Sequence, residues 1–188
     1  MPKMAIVDVE TTGLNPYSHT IWSISVRLIG PGISRAVDLK CRPLAGTEVD
    51  EKALEVGGIT QAKLDRFPDP STTKEKLEEA LSGLVNKKNR KDKLLFVGYN
   101  ARFDYDFLRQ WFERQGDVYF GSWFWFPPLD VMDLAAWKLA RKRGQLRDFK
   151  LHTVASFMGV PVDAERLHEA AYDLELTMQL MRRIKEEW

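Results

Sequence analysis

A short stretch near the start of the chain, residues 5–9 with an apolar run from Ala5 to Val7, is the feature that most limits how this sequence can fold. It reads Ala-Ile-Val-Asp-Val, a β-branched run that predicts a buried strand. Two acids, Asp8 and Glu10, lie where this strand ends, and Thr-Thr-Gly follows them. Buried strands tend to avoid charged side chains, so the fold must give these two carboxylates something to do.

Strand and helix patterns alternate along the rest of the chain. Residues 20–30 alternate apolar and polar side chains, which predicts a half-buried strand with Ser23, Ser25 and Arg27 on the polar face. A Gly-Pro-Gly turn joins it to a further strand, so the two form a hairpin. A second buried strand is predicted at residues 94–98. Helices are predicted at residues 71–85, 102–116, 130–144, 151–159 and 169–188. Early strands followed by alternating elements indicate one α/β domain over residues 1–188.

The composition limits the environment more than the function. A length of 188 residues suits one domain, and a net charge of +1 gives no global field for or against a nucleic-acid partner. Cys41 is the one cysteine, which excludes an intrachain disulfide and a cysteine-based zinc cluster. No apolar run approaches the roughly 18 residues of a membrane span, and no signal peptide is evident. We therefore expect a cytoplasmic protein without a membrane partner.

The alternation of a strand places Asp8 and Glu10 on one face together with Ile6, while Val7 and Val9 face the other side. Two ionised carboxylates on one face repel each other, so a shared proton, a basic side chain or a metal must neutralise them. Acids at a strand end suit a hard cation with oxygen ligands. The alternative is a strand end that has reached solvent.

Two more candidate acids, Asp104 and Asp173, lie near the starts of later predicted helices. Asp104 lies in the first turn of the helix after residues 94–98, where the helix dipole alone favours an acid, and Asp106 competes for the same role. His168 and Asp173 stand five residues apart, about 140° around one helix. They cannot share a helix face, so His168 must precede the helix if the two act together.

Three short motifs occur in this chain in an order that resembles a known protein family. Asp-x-Glu-Thr-Thr-Gly at residues 8–13, Asn-x-x-Phe-Asp at residues 100–104 and His-x-x-x-x-Asp at residues 168–173 occur in one chain. In this combination the sequence resembles the DEDD exonuclease superfamily, in its histidine-bearing DEDDh branch. That group includes the proofreading subunit of the bacterial replicative polymerase, oligoribonuclease and ribonuclease T. Residues 53–60 and 129–135 also look like family segments, so the match covers nearly the whole chain.

The resemblance implies a ribonuclease-H-like fold, with a mixed five-stranded sheet flanked by helices. It implies a site for two divalent metal ions, Mg²⁺ with Mn²⁺ as a substitute, which balance the charge of four carboxylates. His168 is then the general base that takes a proton from the attacking water. The implied metal ligands are Asp8, Glu10, Asp104 and Asp173, and His168 completes the catalytic set.

Substrate contacts are implied for six further residues. The segment after the first acids is expected to hold the 3′-terminal nucleotide through backbone groups and a wedging apolar side chain, and two later residues line the same pocket. Each also has a structural explanation, as part of a turn, a cap or the core. These residues are Thr11, Thr12, Gly13, Leu14, Asn100 and Phe103.

The leading functional hypothesis is a metal-dependent 3′→5′ exonuclease that acts on DNA. The alternatives are an exoribonuclease or oligoribonuclease, and an inactive nucleic-acid-binding subunit. The expected partners are 3′ ends of single-stranded DNA, a polymerase or another nucleic-acid-processing protein that binds the catalytic domain, and a second copy of the chain in a homodimer.

Two segments go beyond these motifs. Residues 119–126, Tyr-Phe-Gly-Ser-Trp-Phe-Trp-Phe, could grip single strands, bury themselves in a dimer or pack as core. Residues 138–150 contain six Lys or Arg and one Asp, which either complement a helix dipole or follow phosphates. His19 and His152 lie outside the motifs and receive no chemical role.

Overall fold

The computed structural model describes residues 2–167 and 169–186. Five strands form one mixed sheet in the order β3-β2-β1-β4-β5. β2 is antiparallel to both β1 and β3, whereas β4 is parallel to both β1 and β5. The strands are β1 (Met4–Thr11), β2 (Ile21–Gly30), β3 (Ile33–Lys40), β4 (Leu95–Gly98) and β5 (Leu129–Asp130).

Helices cover both faces of this sheet. None of those in the described part of the chain is long and apolar enough to cross a membrane. The α-helices are α1 (Glu51–Val56), α2 (Gln61–Leu64), α3 (Pro70–Ser82), α4 (Ala101–Arg114), α5 (Val131–Lys138), α6 (Leu151–Phe157) and α7 (Ala170–Glu186). The mixed five-stranded sheet flanked by helices is therefore confirmed, and its architecture is ribonuclease-H-like.

The two faces of β1 belong to two different cores. Val7 and Val9 pack in the cluster that contains the buried side chains of α3 and α4. Ile6 packs in a second cluster with Leu180 and Ile184 of α7. The predicted alternation along β1 is thus confirmed, and the face that carries Asp8 lies under α7.

The prediction of a half-buried β2 is wrong for its polar face. Ser23 and Ser25 are almost fully buried, because α7 packs across β2 as well as β1. Ser25 donates its hydroxyl to Asp38 Oδ1 at 2.7 Å, so one of these buried polar groups has a partner on β3. Small hydroxyl side chains fit beneath a helix where larger polar ones would not, and a sequence alternation alone cannot distinguish a solvated face from one covered this way.

The single helix predicted over residues 130–144 is also wrong. α5 ends at Lys138, and residues Ala140–Gln145 form a 3-10 segment. That segment buries no side chain, so no apolar packing supports its continuation as an α-helix. The basic residues at its end therefore lie on an exposed turn.

The aromatic segment divides between core and surface. Phe120, Trp123 and Phe124 are buried in the cluster beneath β4, whereas Tyr119, Trp125 and Phe126 remain exposed. The core interpretation is thus right for the inner rings, and the outer rings need a different explanation.

Candidate functional site

The site forms where β1 and β4 end side by side. β4 ends at Gly98, and Asn100 adopts a left-handed conformation with φ of 60° before α4 begins. A Cβ at Gly98 would lie 3.2 Å from the Val7 carbonyl oxygen and 3.2 Å from Ala101 Cα. Glycine therefore permits the close approach that brings the first turn of α4 against the end of β1.

Asp104 is tied directly to β1. Its side chain is 4% exposed, and its Oδ1 accepts a hydrogen bond from the Val9 backbone N–H at 3.0 Å. Val9 stands between Asp8 and Glu10, so this bond places the carboxylate of α4 beside those of β1. The predicted meeting of the first and second motifs is what the structure shows.

Asp173 comes from the opposite side of the sheet. It lies in the first turn of α7, the helix that covers the face carrying Asp8 and Glu10. Its charge raises the pKa of both of those carboxyls. Four acids from three elements therefore share one electrostatic neighbourhood.

Burial and repulsion act together on this cluster. The pKa of Asp8 is raised well above its usual value, first by burial and then by the neighbouring carboxylates. The pKa of Glu10 is raised to about 7, again first by burial and then by Asp173. Burial also raises the pKa of Asp104, although the hydrogen bond from the Val9 N–H opposes it. Each group resists ionisation in the protein alone.

The donor set suits a hard cation. Among the described residues, no ion pair involves Asp8, Glu10 or Asp104, so no basic side chain neutralises them directly. The available ligand atoms are carboxylate oxygens, which Mg²⁺ and Mn²⁺ favour. Within residues 2–167 and 169–186, however, no three acidic, histidine or cysteine side chains already converge on one metal position. The carboxylates of Asp8, Glu10 and Asp104 are grouped without converging on one point.

The segment after the acids forms a tight turn with one protruding side chain. Thr11 donates its hydroxyl to the Gly13 carbonyl oxygen at 2.7 Å. Leu14 is 81% exposed at the tip of the turn. An exposed apolar side chain at the tip of a hydrogen-bonded turn is available for contact with a ligand.

Thr12 has a structural role instead. Its backbone N–H donates to the Thr20 carbonyl oxygen, and its own carbonyl oxygen accepts from the Asp50 N–H, both at 2.8 Å. Its buried hydroxyl donates to the Glu48 carbonyl oxygen at 2.7 Å. Every polar group of Thr12 thus has a partner within the protein, and the residue anchors the turn to the chain before α1.

His19 supports the same turn, which the sequence did not reveal. Its imidazole lies directly against Gly13, where an added Cβ would overlap the ring. Nδ1 lies 3.0 Å from Ser18 Oγ and 3.2 Å from the Asn15 carbonyl oxygen. Nε2 lies 3.8 Å from a Glu48 carboxylate oxygen. The position of His19 within six residues of the glycine was the only available signal.

Asp130 is a second residue that the motifs did not identify. Its Oδ1 accepts hydrogen bonds from the backbone N–H groups of Asn100 and Met132, both at 2.9 Å. It therefore caps α5 and fixes the strained residue before α4, and its charge raises the pKa of Asp104. An Asp directly before a helix was the signal, but its link to Asn100 depends on the tertiary fold.

The remaining predicted residues differ in where the structure places them. Phe103 is half-buried and its ring centroid lies 4.7 Å from that of Phe107, so it packs mainly as core. Asp106 forms a surface ion pair with Arg102 at 2.6 Å and does not join the acids. His168 lies outside the described residues. A cavity of about 410 Å³ beside Asp173 is lined by Tyr99, Asn100, Met132, Lys150, Leu151, His152, Leu167 and Asp173.

Comparison with known proteins agrees with this architecture. Residues 5–181 match the family described as Exonuclease. Ribonuclease T of Hahella chejuensis is 30% identical over 97% of this chain and 83% of its own length. A PolC-type DNA polymerase III of Thermotoga maritima is 30% identical over 96% of this chain, which corresponds to 12% of that polymerase.

Solved structures of E. coli exonuclease I share the fold. The complex with a dT13 oligonucleotide superposes with a TM-score of 0.76 at 18% identity, over 98% of this chain and 41% of that one. A zinc-bound form in complex with single-stranded DNA superposes with a TM-score of 0.74. The chain thus spans about two fifths of exonuclease I, and the likeness shows the fold. The family match over residues 5–181, together with the 30% identity to ribonuclease T, shows that this chain belongs to the exonuclease family and is a 3′→5′ exonuclease, a phosphodiester hydrolase.

Proposed function

We propose that this exonuclease removes nucleotides from the 3′ ends of single-stranded DNA, with residues 1–188 acting as one catalytic domain. The observation that carries the proposal is the cluster of four carboxylates, with Asp104 buried, near the exposed turn at Leu14. Oligonucleotides are bound by exonuclease I, which has the same fold. A single strand can thread its end between a protruding side chain and an acidic cluster more easily than a duplex can.

Divalent ions would be held by the carboxylates of Asp8, Glu10, Asp104 and Asp173. When bound, a pair of Mg²⁺ ions stabilises the attacking and leaving oxygens of the phosphodiester, and Mn²⁺ can serve the same purpose. The negative charge of four carboxylates matches the positive charge of two such ions. The raised pKa of Glu10, about 7, supports this because a cation would displace the protons that the cluster otherwise keeps.

The protein itself positions the reacting groups. Asp104 is held in place by the Val9 N–H, so it can bind a ligand without losing rotamer freedom. The turn at Gly13 presents Leu14 to the terminal base, and Thr12 anchors that turn rather than touching substrate. His168 accepts the proton of the attacking water, since an imidazole titrates near neutrality.

RNA is the second candidate substrate, and the 30% identity to ribonuclease T favours it. The discriminating experiment compares 5′-labelled single-stranded DNA, duplex DNA and RNA of one sequence, with Mg²⁺ and with EDTA. We expect the fastest stepwise loss of 3′ nucleotides from single-stranded DNA, and no loss in EDTA.

A 3′-phosphorylated strand should resist digestion, because the turn at Thr11–Leu14 is expected to receive a free 3′ end. Faster digestion of RNA would move the assignment to an exoribonuclease, and cleavage of circular single strands would indicate an endonuclease.

Two variants separate the base from the ligands. His168→Ala should lower the rate by about 10² to 10⁴ while metal affinity stays near that of the wild type, the usual effect of losing a positioned base. Asp173→Ala should weaken metal binding itself, measured by calorimetry with Mn²⁺. Equal loss of metal affinity in both variants would make His168 a ligand or a structural residue.

Protein partners form a separate part of the proposal. The PolC-type relative carries a matching segment within a polymerase that is much longer than this chain. We therefore propose that a polymerase or another nucleic-acid-processing protein binds the catalytic domain, with a homodimer as the alternative assembly. Sedimentation of the purified chain, alone and with a candidate polymerase, measures both.

A further inference from the structure

A group of cations and exposed aromatic rings occupies one edge of the molecule. Residues 87–93 contain five Lys or Arg and one Asp, and they lie immediately before β4. The exposed outer rings of the aromatic segment, Trp125 and Phe126, lie on the same edge, and Arg102 at the start of α4 completes it. We call this surface, made of residues 87–93, Arg102, Trp125 and Phe126, the basic–aromatic edge.

Cations and rings alternate along this surface. Lys93 Nζ lies 5.3 Å from the centroid of the Trp125 ring, and the Arg102 guanidinium lies 5.6 Å from the centroid of the Phe126 ring. The Trp125 backbone N–H donates to the Leu94 carbonyl oxygen at 2.9 Å, which fixes the two segments side by side. The backbone at Trp125 is therefore fixed beside the start of β4, and the side chains of Trp125 and Phe126 remain exposed.

The edge begins at the same end of α4 as the acidic site. Arg102 precedes Asp104 by two residues in the first turn of α4. The Phe126 ring lies 5.7 Å from the ring of Tyr105, which follows Asp104 directly. Starting from the carboxylates, the surface thus passes from Arg102 through Phe126 and Trp125 to residues 87–93. A strand leaving the acidic site in this direction would meet rings first and then cations.

The edge also has free charge and free apolar area. Lys88, Arg90 and Lys91 are exposed and take part in no ion pair among the described residues. Trp125 is 42% exposed and Phe126 61% exposed. Exposed rings on the same edge as exposed cations suit a single-stranded nucleic acid, because bases stack on the rings while phosphates contact the cations. A purely apolar partner would leave the cations without a counter-charge.

We infer that the basic–aromatic edge binds the part of a single strand that lies upstream, on the 5′ side, of the nucleotide being removed. This inference rests on the proposed function, because it takes the 3′ end to lie at the carboxylates. It assigns Trp125 and Phe126 to base stacking, and Lys88, Arg90 and Lys91 to phosphate contacts. Affinity should therefore grow with strand length beyond the few nucleotides that the acidic site can hold.

The test is a binding measurement that needs no hydrolysis. Fluorescence anisotropy of 5′-labelled oligo-dT in EDTA compares strands of roughly 4 and roughly 16 nucleotides, the span of single-strand site sizes. Lys88→Ser/Arg90→Ser/Lys91→Ser should weaken binding of the longer strand about tenfold or more and leave the shorter one unchanged. The slope of log affinity against log salt should fall by about 2, from three lost contacts on a single strand. Arg35→Ser/Lys63→Ser/Arg66→Ser, which removes the same charge from exposed positions elsewhere, should have neither effect.

The stacking contribution is tested at Trp125. Trp125→Ala should weaken binding of the longer strand about fivefold or more, and Trp125→Phe should recover most of it, because a phenyl ring still stacks. The inference is wrong if the control triple variant weakens binding equally or if both strand lengths lose affinity alike. It is also wrong if the triple variant changes only the sedimentation mass, which would make the edge a protein interface.

Hydrolysis of a small ester keeps the two proposals apart. The p-nitrophenyl ester of thymidine 5′-phosphate is too short to reach the edge, so both triple variants should cleave it at the wild-type rate. A wild-type protein that cleaves neither this ester nor DNA would refute the proposed function, and with it the position of the strand relative to the carboxylates, while length-dependent binding would still show that the edge binds single strands. Cleavage with no length dependence would refute the edge alone.

Discussion

At the scale of single residues, the turn after the first acids depends on one close contact. Gly13 has no side chain, and the His19 ring occupies the space that a Cβ would need. The ring is held there by Ser18 and Asn15, so it cannot move away without losing those contacts. The geometry of the turn that presents Leu14 is therefore set by the pairing of a glycine with an imidazole.

Gly13→Ala should destabilise the protein by about 1–3 kcal/mol and raise the KM for single-stranded DNA, because overpacking shifts the turn. His19→Ala removes the obstruction, so the double variant should be less destabilised than the sum of the single variants, with a coupling of about 0.5–3 kcal/mol. Urea denaturation measures both. Gly144→Ala, at a glycine with open space around it, serves as the near-neutral control. Additive single effects would show that the two residues do not interact.

Asp8 is the acid with the most like-charged neighbours in this site. Asp8→Ala should lower the rate by far more than tenfold, because it removes a ligand that we propose both metal ions share. A tenfold loss alone corresponds to about 1.4 kcal/mol of barrier. In EDTA the variant should be at least as stable as the wild type, since a crowded buried carboxylate has been removed. Asp106→Ala, which breaks only the surface pair with Arg102, should keep its activity. Retention of a tenth of the wild-type rate by Asp8→Ala would remove it from the proposed ligand set.

At the scale of elements, the junction of β1 with α4 combines structure and chemistry in one side chain. Asp104 caps no helix of its own but binds the N–H of Val9 on the neighbouring strand. Its carboxylate is therefore both a fixed acceptor and a proposed metal ligand. The two roles can be separated because asparagine keeps the acceptor oxygen without the charge.

Asp104→Asn should fold with nearly wild-type stability and lose most of its activity and metal affinity. Asp104→Ala should in addition lose about 1–3 kcal/mol of stability, the cost of leaving a buried N–H without its partner. Thermal denaturation in EDTA and calorimetry with Mn²⁺ measure the two effects. Equal stability of the two variants would mean that the hydrogen bond to Val9 contributes little to joining α4 to β1.

The elements that the sequence predicted well are those whose periodicity reports burial. β1, α6 and α7 were expected from apolar runs and from stop signals such as Gly159, which has a φ of 75°. The burial of Ser23 could not be predicted, because α7, which covers it, lies far away in sequence. The motifs located the acids, but the supporting contacts of Asp130 and His19 form only when distant segments meet. Spacing along the chain cannot encode those contacts.

At the scale of the whole molecule, a net charge of +1 conceals a strong separation of charge. The carboxylates gather where β1 ends and where α4 and α7 begin, while the exposed charges of Lys88, Arg90 and Lys91 lie before β4. The acids with lowered pKa, including Asp69 at about 2, titrate well below the acidic cluster. Above about pH 4.5 the pH dependence of stability should therefore come mainly from the cluster itself.

The sign of that dependence follows from the raised pKa values. Glu10 titrates near 7 in the folded protein, against about 4.5 when unfolded, so the folded state binds more protons between these two values. The free energy of unfolding in EDTA should therefore fall as the pH rises from about 4.5 to about 7, by up to about 3 kcal/mol from Glu10. Guanidinium denaturation across this range measures it, and Asp173→Asn should flatten the slope, because Asp173 is the carboxylate whose charge raises the pKa of Glu10.

Saturating Mn²⁺ should reverse this trend. A cation binds the ionised carboxylates, so its stabilisation grows as protons leave, reaching about 2.7 kcal/mol at a hundred times the dissociation constant. The metal-loaded protein should thus become more stable toward neutral pH while the metal-free protein becomes less stable. The crossing of the two curves tests the cluster as one electrostatic unit, without any measurement of activity. A metal-free protein whose stability rises between about pH 5 and pH 7 would show that the carboxylates are neutralised by groups of the protein instead.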